Sequence, residues 1–68
     1  MKIKEKNFEI EQESKDFVAL KYSGRFRYHI KHYIDLFQEM KEKGYKLIFE
    51  VEWKYLIFEK IMEEENKL

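Results

Sequence analysis

Residues 23–44 read SGRFRYHIKHYIDLFQEMKEKG, and this stretch decides the fold. Phe26, Ile30, Tyr33, Phe37 and Met40 recur at spacings of four, three, four and three, one stripe of a 3.6-residue helix. Ile34 widens that stripe and Leu36 sits off it. Ser23-Gly24 breaks the segment before it. Lys41 and Lys43 fall in the last turn, where cations suit the helix dipole, and Gly44 supplies the C-terminal stop. The spacing predicts a helix over about residues 24–43, with Ser23 as its N-cap.

Strand-like segments flank the helix. Residues 2–13 alternate weakly: Phe8, Ile10 and Gln12 share one parity while Glu9, Glu11 and Glu13 hold the other. Ile3 lies on the wrong parity, which points to a bulge near Asn7 or a frayed start. Ser14-Lys15-Asp16 reads as a hairpin turn. In residues 17–22, Phe17 and Ala19 share one face and Val18, Leu20 and Tyr22 the other, as in a strand that is central or covered on its second face. Residues 45–53 place Tyr45, Leu47, Phe49, Val51 and Trp53 on one face, and only Ile48 breaks the alternation.

The segment after residue 54 has two readings. Tyr55-Leu56-Ile57-Phe58 fits a fourth strand, yet no Gly, Pro, Asn or Asp supplies a turn between residues 45 and 65. Trp53, Ile57 and Ile61 also fit a helix, and the sequence leans that way. The expected fold is therefore α+β: a small antiparallel sheet with one main helix packed on a face. The order is ββαβ followed by a C-terminal helix or a fourth strand, in a single domain over residues 1–68.

Composition narrows the function classes. Of the 68 residues 44% are hydrophobic and 41% charged, with 14 basic and 14 acidic side chains, so the formal net charge is zero. That much apolar character does not fit a disordered tail. No apolar run approaches a membrane span and no signal peptide opens the chain, so a cytoplasmic protein is expected, in a host cytoplasm if the source is viral. The absence of Cys excludes disulfides, thiolate metal sites and a Cys nucleophile. A core this small leaves burial and chain entropy nearly balanced. Self-association adds burial, and the aromatic share of 18% suits an interface as well as a core, so a homodimer is expected.

Charge is split along the chain. Residues 15–33 carry Lys15, Lys21, Arg25, Arg27 and Lys31 against Asp16 alone, with His29 and His32 nearby. With Ser23 as N-cap, Arg25 and Arg27 fall in the first turn, where acids normally sit, and Phe26 takes the capping-box position. Such a helix start is a receptor for phosphate or carboxylate. The candidate partner- or nucleic-acid-binding set is Lys21, Tyr22, Arg25, Arg27, Tyr28, His29, Lys31 and His32, its tyrosines placed to stack on bases. The plainer reading has the arginines lying over apolar surface or pairing with acids.

Other chemistry finds little support. His29, His32 and Asp35 turn steadily round a helix and do not converge on one ion, so no metal or other cofactor is expected. Ser14 and Ser23 lie in no nucleophile motif, there is no Gly-rich phosphate loop, and no catalytic residue is assigned. A metal-free nuclease built on His29 and His32 is conceivable, but so short a chain struggles to form an enzyme pocket. The expectation is not an enzyme. In composition the chain resembles small phage- or virus-encoded inhibitors such as anti-CRISPR proteins, a likeness that rests on no residue signature and transfers no site. The expected function is an oligomeric inhibitor or regulator that binds a partner protein. The alternative is a small nucleic-acid-binding regulator using residues 21–33.

Overall fold

A computed structural model describes residues 1–24 and 29–62. It has four strands and one helix in the order ββαββ: β1 (Phe8–Glu13), β2 (Phe17–Tyr22), α1 (Ile30–Glu42), β3 (Tyr45–Val51) and β4 (Tyr55–Lys60). The strands form one antiparallel sheet in the order β1-β2-β4-β3. β2 is central, as its apolar residues on both faces require. Of the two readings of the last segment, the strand is the one that forms, and the lean to a helix is corrected.

That correction has a physical cause. The β3–β4 turn needs positive φ, and the chain supplies it without glycine: Glu52 has φ 52° and Trp53 φ 57°. Lys54 N–H donates to the Val51 carbonyl at 2.9 Å to close the turn. Two successive positive φ values are the type I′ signature, normally carried by Asn-Gly or Asp-Gly. An L side chain in this region costs about 1–2 kcal/mol. Pairing along β4 offsets that cost, because β4 fills the gap between β2 and β3.

α1 also begins later than its sequence spacing implies. His29 is the N-cap, with its Nδ1 accepting from Lys31 N–H at 3.3 Å, and the first turn contains no acid. Ser23 is therefore not the cap. Its amide instead donates to the Asn7 carbonyl at 2.7 Å. The first turn of α1 is Ile30–Tyr33. At the far end Gly44 adopts φ 85° and donates to the Lys41 carbonyl at 3.0 Å, the expected stop.

One core lies between α1 and the sheet. Phe8, Val18, Leu20, Tyr22, Leu56 and Phe58 meet Tyr33, Leu36 and Met40 there, with Ile10, Tyr45 and Leu47 packed at its margin. The N-terminal segment runs beside α1, where the Glu39 carboxylate accepts from Lys4 N–H at 2.6 Å and Glu5 N–H at 3.0 Å.

Two bulges redirect side chains. On β1 the register shifts between Ile10 and Gln12, so Glu11 is the extra residue and Gln12 pairs with Ala19. Gln12 thus leaves the parity of Phe8 and Ile10. On β3 the shift lies between Leu47 and Phe49, which makes Ile48 the extra residue. Phe49 and Val51 pair with Ile57 and Tyr55 on the face away from α1, while Tyr45 and Leu47 stay on the core side. The single-faced strand expected over residues 45–53 is corrected: a one-residue insertion flips every later side chain. Ile48, the one break in the alternation, marks the bulge.

Candidate functional site

The apolar arc of α1 is wider than one packing face. At about 100° per residue, the positions from Leu36 to Ile34 sweep roughly 160° of the helix, against a usual core stripe of about 100°. The sheet covers one half, and Tyr33, Leu36 and Met40 are buried. The other half stays open: Ile30 is 72% exposed and Ile34 53%, with Phe37 half-buried between the two sides. Ile30 and Ile34 were expected on the core stripe, and Leu36 off it. The sheet sits to one side of the arc's centre and takes Leu36 instead.

Across from Ile30 and Ile34 stands Trp53, 45% exposed at its strained turn. Ile30, Tyr33, Ile34, Phe37, Glu52 and Trp53 line an open groove of about 430 Å³. Three contacts fix its far wall. The Tyr33 hydroxyl donates to the Trp53 carbonyl at 2.7 Å. Trp53 N–H donates to Glu50 Oε1 at 2.8 Å. The Tyr33 and Trp53 rings meet edge-on with centroids 6.0 Å apart. The two hydrogen bonds hold the Trp53 backbone and the edge-on contact braces its indole against Tyr33, so a ligand that seats there loses less side-chain entropy. Among the described residues, Glu52 is the only charged one of the lining.

The residues singled out in the sequence disperse. Tyr22 is buried. Its ring stacks on Tyr33 with centroids 5.3 Å apart and meets Phe8 edge-on at 5.1 Å, and its hydroxyl is hydrogen-bonded to His32 Nδ1 at 2.9 Å. It is a core residue, and its faces are not open to bases. His29 caps α1 with its ring centroid 5.1 Å from that of His32. Lys31 pairs with Asp35 at 3.2 Å in solvent, an exposed i,i+4 contact of small energetic weight. Lys21 points to the opposite face of the sheet, in register with Glu9 and Tyr55. Tyr22, His29 and His32 thus come together, and Lys21 does not join them. Arg25, Arg27 and Tyr28 lie outside the described residues. Among the described residues no group of three His, Asp or Glu side chains is placed to hold a metal ion, and no helix is long and apolar enough to cross a membrane.

Sequence reading missed the groove because its two walls come from distant elements. The width of the α1 stripe was the available signal. Nothing in residues 51–54 announces a turn.

Fold and site together define a four-stranded antiparallel α+β domain with one helix and an apolar groove along that helix. No protein-family model, curated protein or solved structure matches the chain.

Proposed function

We propose that this chain is a small non-enzymatic interaction protein, an inhibitor or regulator that seats an amphipathic helix of a partner protein between α1 and the β3–β4 turn. The observation that carries the reading is Trp53, held at positive φ with its indole facing exposed Ile30 and Ile34. Large apolar side chains kept solvent-exposed at a cost in backbone strain are what a binding surface requires and a core does not. Ile30, Ile34 and Phe37 run along α1 for about two turns, roughly 10 Å. That open furrow suits a second helix packed ridge into groove at about 8–10 Å. Glu52 at the rim favours a partner helix whose apolar i, i+4 and i+7 residues are flanked by Lys or Arg. The compositional likeness to phage-encoded anti-defence inhibitors belongs to the same class of role.

The test is selection from a displayed library of helical peptides, with Ile34→Glu protein as the counter-target. Ile34 is exposed, so the variant keeps its fold. Enriched peptides carrying that apolar spacing beside basic residues, and binding wild type but not Ile34→Glu, support the reading. Enriched peptides that bind both proteins equally overturn it. So does salt-sensitive capture of RNA or DNA that survives Ile34→Glu but is lost in Arg25→Glu/Arg27→Glu.

A further inference from the structure

The face of the sheet away from α1 has no described element lying over it, and its residues form an ordered grid. From β1 through β2 and β4 to β3, one row reads Gln12, Ala19, Ile57, Phe49 and the next Glu9, Lys21, Tyr55, Val51. On the other side of the first row, Phe17, Glu59 and Lys46 stand in register on β2, β4 and β3. Apolar residues thus run along one diagonal, from Phe17 through Ala19 and Ile57 to Phe49, Tyr55 and Val51. Phe49 is 58% exposed and Phe17 42%. The two remaining corners are charged, Glu9–Lys21 at one and Glu59–Lys46 at the other. Among the described residues none of these four side chains has an ion-pair partner.

We infer that this face is a homodimer interface, in which two copies pack sheet on sheet about a two-fold axis lying along the apolar diagonal. The charge pattern selects that axis. Rotation about it lays the apolar diagonal of one copy on that of the other. The same rotation lays the Glu9–Lys21 corner of one copy on the Glu59–Lys46 corner of the other, with Glu9 over Lys46 of the second copy. An axis along the strands or across them sets charges against Tyr55, Val51 or Phe17 instead. Side chains on this face stand about 4.8 Å apart across the strands and about 6.8 Å apart along them, so the axis that carries Glu9 onto Lys46 lies about 45° from the strands and crosses the two sets near 90°, one of the two common sheet packings.

The area suffices. Four strands of about six residues span roughly 19 × 20 Å, and side-chain relief about doubles that projection to roughly 750 Å² per copy, close to the ~800 Å² per partner of a standard interface. An apolar centre with a charged rim is the usual anatomy of such a contact. The inference does not depend on the groove, which lies beside α1 and away from this face.

Sedimentation velocity over a concentration series tests it. Wild type is expected to dimerise at micromolar concentration and Phe49→Glu to be a folded monomer that still binds groove peptides. Lys46→Glu is expected to weaken the dimer about tenfold, and adding Glu9→Lys to restore it. β1 and β3 are opposite edges of the sheet, about 14 Å apart, so that rescue acts only between copies. A wild type that stays monomeric, a Phe49→Glu variant that stays dimeric, or a double charge swap no tighter than Lys46→Glu overturns the inference.

Discussion

Tyr33 and Trp53 are joined by a hydrogen bond from the tyrosine hydroxyl to the tryptophan carbonyl at 2.7 Å, which ties the middle of α1 to a turn built from two L residues at positive φ. The bond links the core to the groove. It explains how a strained turn without glycine or asparagine keeps one conformation.

Tyr33→Phe removes that bond while leaving the ring in place. A loss of about 1 kcal/mol is expected, or roughly 4–8 °C in Tm for a domain of this size. Thermal unfolding followed by circular dichroism reads the loss. The emission of Trp53, the only tryptophan, should shift to the red as the turn loosens.

Glu52→Gly should raise stability, because glycine adopts φ 52° without the steric cost an L residue bears. The expected gain is about 0.5–1 kcal/mol by urea unfolding. The same change removes the carboxylate that the described residues give the groove lining, so affinity for basic-flanked peptides should fall. Higher stability with weaker binding is the mark of a residue kept for function.

Gly24 lies against the Tyr22 ring, and a Cβ there would sit on the Tyr22 hydroxyl. Tyr22 is held by Phe8, Tyr33 and His32 and does not swing aside freely. Gly24→Ala should therefore cost about 1–3 kcal/mol. Amide spectra should show its largest shifts at Tyr22 and His32.

Glu39 sets an acid limb on stability. Its partial burial acts to raise the carboxyl pKa, but hydrogen bonds from the Lys4 and Glu5 amides and from Lys43 outweigh that effect and hold it below the ordinary 4.5. A depressed native pKa means the unfolded chain takes up this proton first. The stabilisation is complete above the unfolded value and is lost as pH falls through the folded one. Glu39→Gln should be less stable than wild type at neutral pH by about 1–3 kcal/mol, with the gap closing in acid. Urea midpoints at a series of pH values measure it.

Sequence periodicity carried most of the fold. The β1–β2 hairpin, the central place of β2 and the stop at Gly44 all follow from local patterns that packing did not override. What failed was set by single residues in unusual roles. Glu11 and Ile48 are insertions, and a strand that gains one residue changes face without changing its composition. Glu52 and Trp53 take positive φ with nothing in their side chains to announce it. His29 rather than Ser23 caps α1, because Ser23 is drawn into pairing with Asn7. Half of the site, Ile30, Ile34 and Phe37, stood in plain view as an overly wide helical stripe. The other half, Trp53, depended on the turn.

The emission of Trp53 during titration with a selected groove peptide tests the central claim most directly, since the chain has no other tryptophan. The indole is partly exposed, so seating a helix against it should move the emission to the blue, saturably and at one peptide per chain. Ile34→Glu should abolish the shift with the fold intact. Saturable binding that leaves the emission unchanged, or an unaltered shift in Ile34→Glu, would contradict a helix-binding groove between α1 and the β3–β4 turn.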